Sequence, residues 1–129
     1  MDLTAMDTHV AAAAAVERLG GCDVLVNNAG RGQRALVEET ALDVDRALFE
    51  TNVFGTISLT KAVLPHMLKR RRGRILVTSS IAGKVATPCG ASYAATKHAV
   101  NGFFHSLASE VCDRGVSVTV ACPGPTVSE

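Results

Sequence analysis

The stretch DVLVNNAG, residues 23–30, decides the fold. It begins apolar and β-branched and ends in two asparagines, an alanine and a glycine, which is typical of a buried strand that runs into a turn. Residues 8–19, just before it, are rich in alanine and predict a helix that Gly20 and Gly21 end. A helix followed by a buried strand predicts one unit of a parallel α/β sheet.

The same unit occurs twice more along the chain. A predicted helix over residues 40–71, with Thr40 and Asp43 as a capping box, precedes the strand GRILVTSS at 73–80. A predicted helix over 91–113 precedes the strand VSVTVAC at 116–122. We therefore expect an α/β fold, a partial doubly wound, Rossmann-like parallel sheet of about three strands alternating with three helices. NNAG, SS and PGPT would then meet at one edge of the sheet, where such folds bind ligands.

The composition and charge of the chain indicate which kinds of partner it is expected to bind. The 129 residues carry a net charge of +1 and are 47% hydrophobic, so one globular domain is expected and nucleic acid is not an expected partner. The longest apolar run, residues 10–16, is far below the roughly 20 residues that span a bilayer. The basic run KRRRGR, 69–74, is interpreted as solvated cations at a helix end, with a nuclear signal, an anionic-lipid patch or a nucleic-acid site as alternatives. The four cysteines form no CxxC pair, so reduced thiols and no metal site are expected.

The segment SYAATKHA, residues 92–99, carries the chain's one tyrosine four places before a lysine. On a helix, Tyr93 and Lys97 lie one turn apart on one face, and Ser80 stands at the end of the preceding strand. A hydroxyl, a phenol and an ammonium that converge suit proton transfer to or from an alcohol oxygen during hydride transfer. A tyrosine on an apolar helix also packs in many cores, so the pair alone leaves both interpretations open.

The spacing of these residues resembles a known catalytic motif. Ser80 thirteen residues before Tyr93, with Lys97 four after it, is similar to the motif of the short-chain dehydrogenase/reductase family. The segments NNAG at 27–30, ETNVFG at 50–55 and CPGPTVS at 122–128 resemble that family's motifs in order and spacing. GRGQRA, LTKAVLPHM and KHAVNGFF are most similar to its dehydrogenase/reductase member-seven branch.

The resemblance implies a role for each matching residue. Tyr93 would be the general acid in carbonyl reduction and the base in alcohol oxidation, Lys97 would favour the ionised phenol and bind the nicotinamide ribose, and Ser80 would hold the substrate oxygen. Asn52 would anchor a water that relays protons to Lys97. The implied cofactor is NADP(H), less strongly NAD(H). The residues implied to bind it are Asp2, Leu3, Asn28, Ala29, Gly30, Tyr93, Lys97, Pro123, Gly124, Thr126 and Ser128.

The chain departs from the family's pattern in one respect. The glycine-rich turn TGxxxGxG, whose amides hold the cofactor diphosphate, does not occur in these 129 residues. We therefore expect residues 1–129 to form a single incomplete NAD(P)-binding Rossmann domain, the catalytic half, without the amino-terminal glycine-rich unit and the carboxyl-terminal substrate loop. Such a polypeptide alone is expected to bind a dinucleotide poorly and to show no detectable reductase turnover with NADPH.

Two functions remain open. The first is an oxidoreductase that interconverts a secondary alcohol and a ketone or aldehyde of an apolar substrate that resembles a steroid, a retinoid or a lipid. The second is a non-catalytic truncated isoform that associates with a full-length relative. The resemblance also implies a homodimer through the second and third helices. The sequence leaves the localisation unknown: a cytoplasmic location is expected for this chain, with the endoplasmic reticulum membrane as an alternative for a full-length form.

Overall fold

Three parallel strands in the order β1-β2-β3 form one sheet. The structure is a computed structural model that describes residues 2–125, so Thr126 and Ser128 lie outside the described residues. The register sets Leu25 beside Ile75, and Ile75 beside Val118. The parallel α/β arrangement that the sequence predicts is therefore confirmed. The elements are α1 (Asp7–Arg18), β1 (Val24–Asn27), α2 (Leu42–Phe49), α3 (Thr56–Arg70), β2 (Gly73–Thr78), α4 (Ala91–Val111) and β3 (Val116–Ala121).

The helices of the described residues cover one face of the sheet. Strand side chains alternate between faces, and those of Leu25, Ile75 and Val77 belong to the same buried cluster as residues of α1, α3 and α4. On the other face, Val24 and Val26 are 55% and 52% exposed. The core therefore lies between the helices and a single side of the sheet.

A π-helical turn divides the predicted second helix. Residues Glu50–Gly55 form this turn between α2 and α3. It lacks room for a side chain at Gly55, where a Cβ atom would overlap the backbone of Leu3. The turn buries Asn52, which is 2% exposed. Single π-helical turns inside helices are frequent at functional sites, because the extra residue redirects the side chains around it.

The predicted capping box at Thr40 and Asp43 is wrong. Helix α2 begins at Leu42, and its N-cap residue, Ala41, makes no side-chain hydrogen bond. The Thr40 hydroxyl instead donates to the Leu36 carbonyl at 2.9 Å. A threonine hydroxyl often bonds a carbonyl four residues back. This bond, with the one that the hydroxyl accepts from Gln33 Nε2 at 3.1 Å, holds the Thr40 side chain against the preceding turn instead of the first N–H groups of α2.

The arginines of KRRRGR contribute more than solvated charge at a helix end. Arg70 donates to the backbone carbonyls of Gly20 and Cys22, at 3.1 Å and 2.6 Å. Arg71 adopts a left-handed conformation with φ 49° at the end of α3, and its guanidinium donates to the Asp113 carbonyl at 2.8 Å. The run therefore ties together three loops at the amino-terminal edge of the sheet. Between residues 2 and 125, no helix is both long enough and apolar enough to span a membrane.

Candidate active site

A cleft of about 250 Å³ opens at the carboxyl-terminal edge of the sheet. Ser80, Tyr93 and Lys97 all line it. These residues come from the end of β2 and from α4, and the turns that follow β1 and β3 complete the walls. The structure thus brings together the hydroxyl, the phenol and the ammonium that the sequence places at this edge.

Lys97 is a buried cation in this cleft. It is 6% exposed, and its Nζ donates to the Thr78 carbonyl at 2.9 Å. Nζ also lies 5.6 Å from the centre of the Tyr93 ring, within the range of a cation–π contact. Burial lowers the pKa of the Lys97 ammonium below its ordinary value of 10.5. An ammonium has three N–H donors, so two remain for a ligand.

Tyr93 lies between two cavities. Its side chain is partly buried and lines both the 250 Å³ cleft and a neighbouring cleft of about 450 Å³. The second cleft has mostly apolar walls that include Ala82 and Pro88. A phenol in this position can exchange a proton with a ligand that reaches it from either cavity.

Ser80 and its neighbour Ser79 have different surroundings. The Ser80 hydroxyl accepts a hydrogen bond from the Ala82 backbone N–H at 3.1 Å, which leaves its own proton free to donate. Ser79 is only 2% exposed, and its hydroxyl donates to the Lys97 carbonyl at 3.4 Å. Of the two serines, Ser80 is the one with a donor available to a ligand.

Asn52 fixes the loop that follows β1. Its Oδ1 accepts from the Arg31 backbone N–H at 2.9 Å, and its Nδ2 donates to the Arg31 carbonyl at 2.8 Å and to the Thr96 hydroxyl at 3.2 Å. Both amide protons are therefore used, and Oδ1 keeps one lone pair. The implied water relay to Lys97 remains a prediction, since the contacts within the protein assign Asn52 to positioning the loop.

The residues implied to bind the cofactor are only partly brought together. Asn28, Gly30, Pro123 and Gly124 line the cleft with Tyr93 and Lys97, whereas Ala29, Asp2 and Leu3 do not.

Asp2 and Leu3 make local contacts, and their implied role in binding the cofactor stays a prediction. The exposed Asp2 carboxylate accepts two bonds of 2.8 Å from Thr4, which lower the pKa of Asp2. Leu3 lies against Gly55. The implied contacts of Thr126 and Ser128 lie outside the described residues.

Several residues at the clefts are absent from the sequence prediction. Arg31 and Gly32 line the smaller cleft, and Gln33 and Arg34 line the larger one. They lie in the loop GRGQR, residues 30–34, which has no periodicity to indicate where its side chains lie. Its composition, two glycines and two arginines shortly after a strand, is the one signal that could have indicated it.

Comparison with known proteins decides the family. A family model described as short chain dehydrogenase matches residues 1–129. The chain belongs to the short-chain dehydrogenase/reductase family. Members of this family are oxidoreductases. Dehydrogenase/reductase SDR family member 7 of Homo sapiens is 47% identical over 130 residues, which cover 99% of this chain and 38% of the relative. The predicted resemblance to the member-seven branch is therefore confirmed, and the chain spans about two fifths of that relative's length.

Solved structures give the same fold. A short-chain dehydrogenase from Streptomyces avermitilis matches with a TM-score of 0.95 and 40% identity, over 99% of this chain and 48% of that one. A structure of ElxO with NADP bound matches with a TM-score of 0.91 and 35% identity, over 96% of this chain and 51% of that one. The three strands and their helices are thus part of a Rossmann-type fold.

Proposed function

We propose that the chain is part of an NAD(P)(H)-dependent oxidoreductase. This enzyme interconverts a secondary alcohol and a ketone or aldehyde of an apolar substrate. The observation that carries this proposal is the shared cleft of Ser80, Tyr93 and Lys97. The mostly apolar walls of the neighbouring cleft support the apolar substrate. The membership of the family supports the reaction type.

Each of the three side chains has a distinct task in this proposal. During carbonyl reduction, Tyr93 donates its proton to the carbonyl oxygen, and the free O–H of Ser80 donates a hydrogen bond to the same oxygen. The Lys97 ammonium stabilises the phenolate that Tyr93 becomes, because an opposite charge nearby favours the ionised form. During alcohol oxidation the proton returns to Tyr93.

The cleft has features that fit a nicotinamide nucleotide. Gly30 keeps it open, since a Cβ atom there would lie 3.2 Å from Asn52 Oδ1 and 3.7 Å from Lys97 Nζ. The two spare N–H donors of Lys97 suit ribose hydroxyls. When bound, the nicotinamide supplies or accepts the hydride. The proposed form is NADP(H), which ElxO binds in its solved structure.

The experiment uses a half cofactor, because these residues contain no TGxxxGxG turn to hold a diphosphate. Reduced nicotinamide mononucleotide carries the nicotinamide, one ribose and one phosphate, so it needs only the cleft described above. Its oxidation by an apolar ketone is followed by absorbance with the wild-type chain and with Tyr93→Phe. Loss of the general acid is expected to lower the rate by about 10³-fold or more.

The matched control is Ser109→Ala. Ser109 is an exposed hydroxyl residue on the same helix, outside both clefts. The rate of the Ser109→Ala variant is expected to equal the wild-type rate. Equal rates for the wild-type chain and Tyr93→Phe would contradict the proposed function. Undetectable turnover with NADPH itself remains a prediction of the incomplete-domain hypothesis.

A second candidate function is association without catalysis. A cleft of about 280 Å³ lies between α3 and α4, and Leu64, Phe103 and Leu107 are among its walls. Leu64 and Phe103 are partly buried, and apolar side chains at such a surface favour packing against another helical surface, either a second copy of the chain or a full-length relative. Sedimentation with and without the relative tests this: Phe103→Glu is expected to abolish association, and Tyr93→Phe is expected to retain it. A monomer at all concentrations, both alone and with the relative, would contradict this candidate.

A further inference from the structure

The cleft of about 450 Å³ adjoins the proposed active site and has one charged wall. It shares Gly32 and Tyr93 with the smaller cleft, so a ligand within it can reach the phenol. Ala82, Pro88 and the Tyr93 ring give it an apolar surface, and Arg34 is the charged residue that lines it. A ligand that fills this cleft therefore combines an apolar body with a group that suits a guanidinium.

The charge of both clefts has one sign. Among the described residues, the walls include three cations, Arg31, Arg34 and Lys97, and no aspartate or glutamate. Within residues 2–125, the Arg34 guanidinium forms no ion pair of its own. Clefts lined by one sign of charge focus the potential and attract ligands of the opposite sign. Both clefts therefore favour an anion.

The loop that carries Arg34 is fixed at several points. Asn52 holds the Arg31 backbone through two hydrogen bonds, and Gln33 Nε2 donates to the Thr40 hydroxyl at 3.1 Å. On the other side of Arg34, the Ala35 N–H donates to the Cys89 carbonyl at 3.1 Å. An anchored backbone limits the entropy that is lost when the guanidinium binds a ligand.

We propose that the substrate is an amphiphilic keto acid, or the corresponding hydroxy acid, whose carboxylate pairs with Arg34 while its carbonyl lies at Tyr93. This inference rests on the proposed function and names its substrate class. A guanidinium binds a carboxylate through two parallel hydrogen bonds, which orients the ligand as well as attracting it. Arg31 and Lys97 line the smaller cleft, whereas Arg34 lines only the larger one, so Arg34 acts on the substrate rather than on the nicotinamide nucleotide.

The test compares 7-oxooctanoate with its neutral amide, 7-oxooctanamide. Binding to the ¹⁵N-labelled chain is followed through the backbone amide signals of Gly32 and Gly90, two glycines in the wall of the larger cleft. The carboxylate is expected to bind about three- to fivefold more tightly than the amide, the size of one exposed ion pair. Arg34→Ala is expected to remove this preference. Arg18→Ala, at an exposed arginine near the end of α1, is expected to keep it.

Other outcomes overturn the inference. Equal affinities for the two probes, a preference that survives Arg34→Ala, or no shifts at either glycine would each do so. The experiments also distinguish failure of this substrate class from failure of the proposed function. Tyr93-dependent reduction of neutral ketones without a carboxylate preference overturns only the substrate class. A carboxylate preference that depends on Arg34, with no hydride transfer to any ketone, supports the anion site and contradicts the oxidoreductase.

Discussion

The two edges of the sheet both carry cations beside a cleft, but the cations are used differently. At the amino-terminal edge, Arg71 and Arg72 line a cleft of about 570 Å³. Arg71 donates to the Asp113 carbonyl at 2.8 Å, and Arg72 forms an ion pair of 3.0 Å with Asp23. These arginines hold loops together, and their partners belong to the protein itself.

At the carboxyl-terminal edge, the cleft is smaller, but its buried cation, Lys97, is available to a ligand. The cleft measures about 250 Å³, and Lys97 makes one hydrogen bond, to Thr78, while it is almost completely buried. Holding a charge away from water is costly unless a partner compensates it, so a buried cation with spare donors suggests that a ligand completes the site. Spare hydrogen-bonding capacity therefore identifies a site better than cavity volume does.

The largest expected effect distinguishes the two edges by activity. Lys97→Met is expected to lower Tyr93-dependent oxidation of reduced nicotinamide mononucleotide by about 10³-fold, because the ammonium that stabilises the phenolate is lost. Arg72→Met, at the other edge, is expected to leave the rate within about twofold, since exposed ion pairs contribute little. Initial rates measure both. A comparable loss in both variants would show that the edges do not differ in function.

The second effect concerns stability at the amino-terminal edge. Gly115 has φ 79°, and a Cβ atom there would overlap the Arg71 backbone. Gly115→Ala is therefore expected to lower the free energy of unfolding by about 3 kcal/mol. The matched control is Gly102→Ala in α4, where a Cβ atom meets nothing within 4 Å. That variant is expected to gain up to about 1 kcal/mol from helix propensity.

Urea unfolding measures both glycine variants. Rates per folded molecule are expected to stay unchanged in each, because neither glycine lines a cleft at the carboxyl-terminal edge. A Gly115→Ala chain as stable as the wild type would contradict the packing described for this edge.

The smallest effect is the pH dependence that Lys97 contributes. Burial lowers its pKa in the folded chain, while the unfolded chain keeps the ordinary value of 10.5. Between these two values the unfolded chain binds more protons, so the free energy of unfolding rises with pH through this window. Lys97→Met is expected to lack that rise. Urea unfolding at several pH values up to 10 measures the difference, and parallel pH profiles for the two chains would refute this account of Lys97.

The elements of the fold could be predicted because their signals are local. DVLVNNAG, GRILVTSS and VSVTVAC predict the three strands, and the structure has them at Val24–Asn27, Gly73–Thr78 and Val116–Ala121. The π-helical turn and the start of α2 could not be predicted in this way. The turn holds Asn52 against Arg31 and Thr96, which are 21 and 44 residues away. Local spacing carries no information about such partners.

The candidate active site likewise contains residues that could be predicted from the sequence and residues that could not. Ser80, Tyr93 and Lys97 could be placed together because strand ends share an edge and residues four apart share a helix face. Arg34 and the second cleft could not, because a loop without periodicity does not determine the positions of its side chains. Only the resemblance implies that Asp2 binds the cofactor; its carboxylate accepts hydrogen bonds from Thr4, and its role toward the cofactor stays a prediction.

One titration tests the difference between the edges most directly. Nicotinamide mononucleotide is added to the ¹⁵N-labelled chain, and the shifts of backbone amide signals are mapped onto the sheet. Our account predicts shifts at Gly30, Tyr93 and Gly124, which line the smaller cleft, and their loss in Lys97→Met. Shifts confined to Gly73 and Gly115, which line the cleft of about 570 Å³ at the amino-terminal edge, would contradict it.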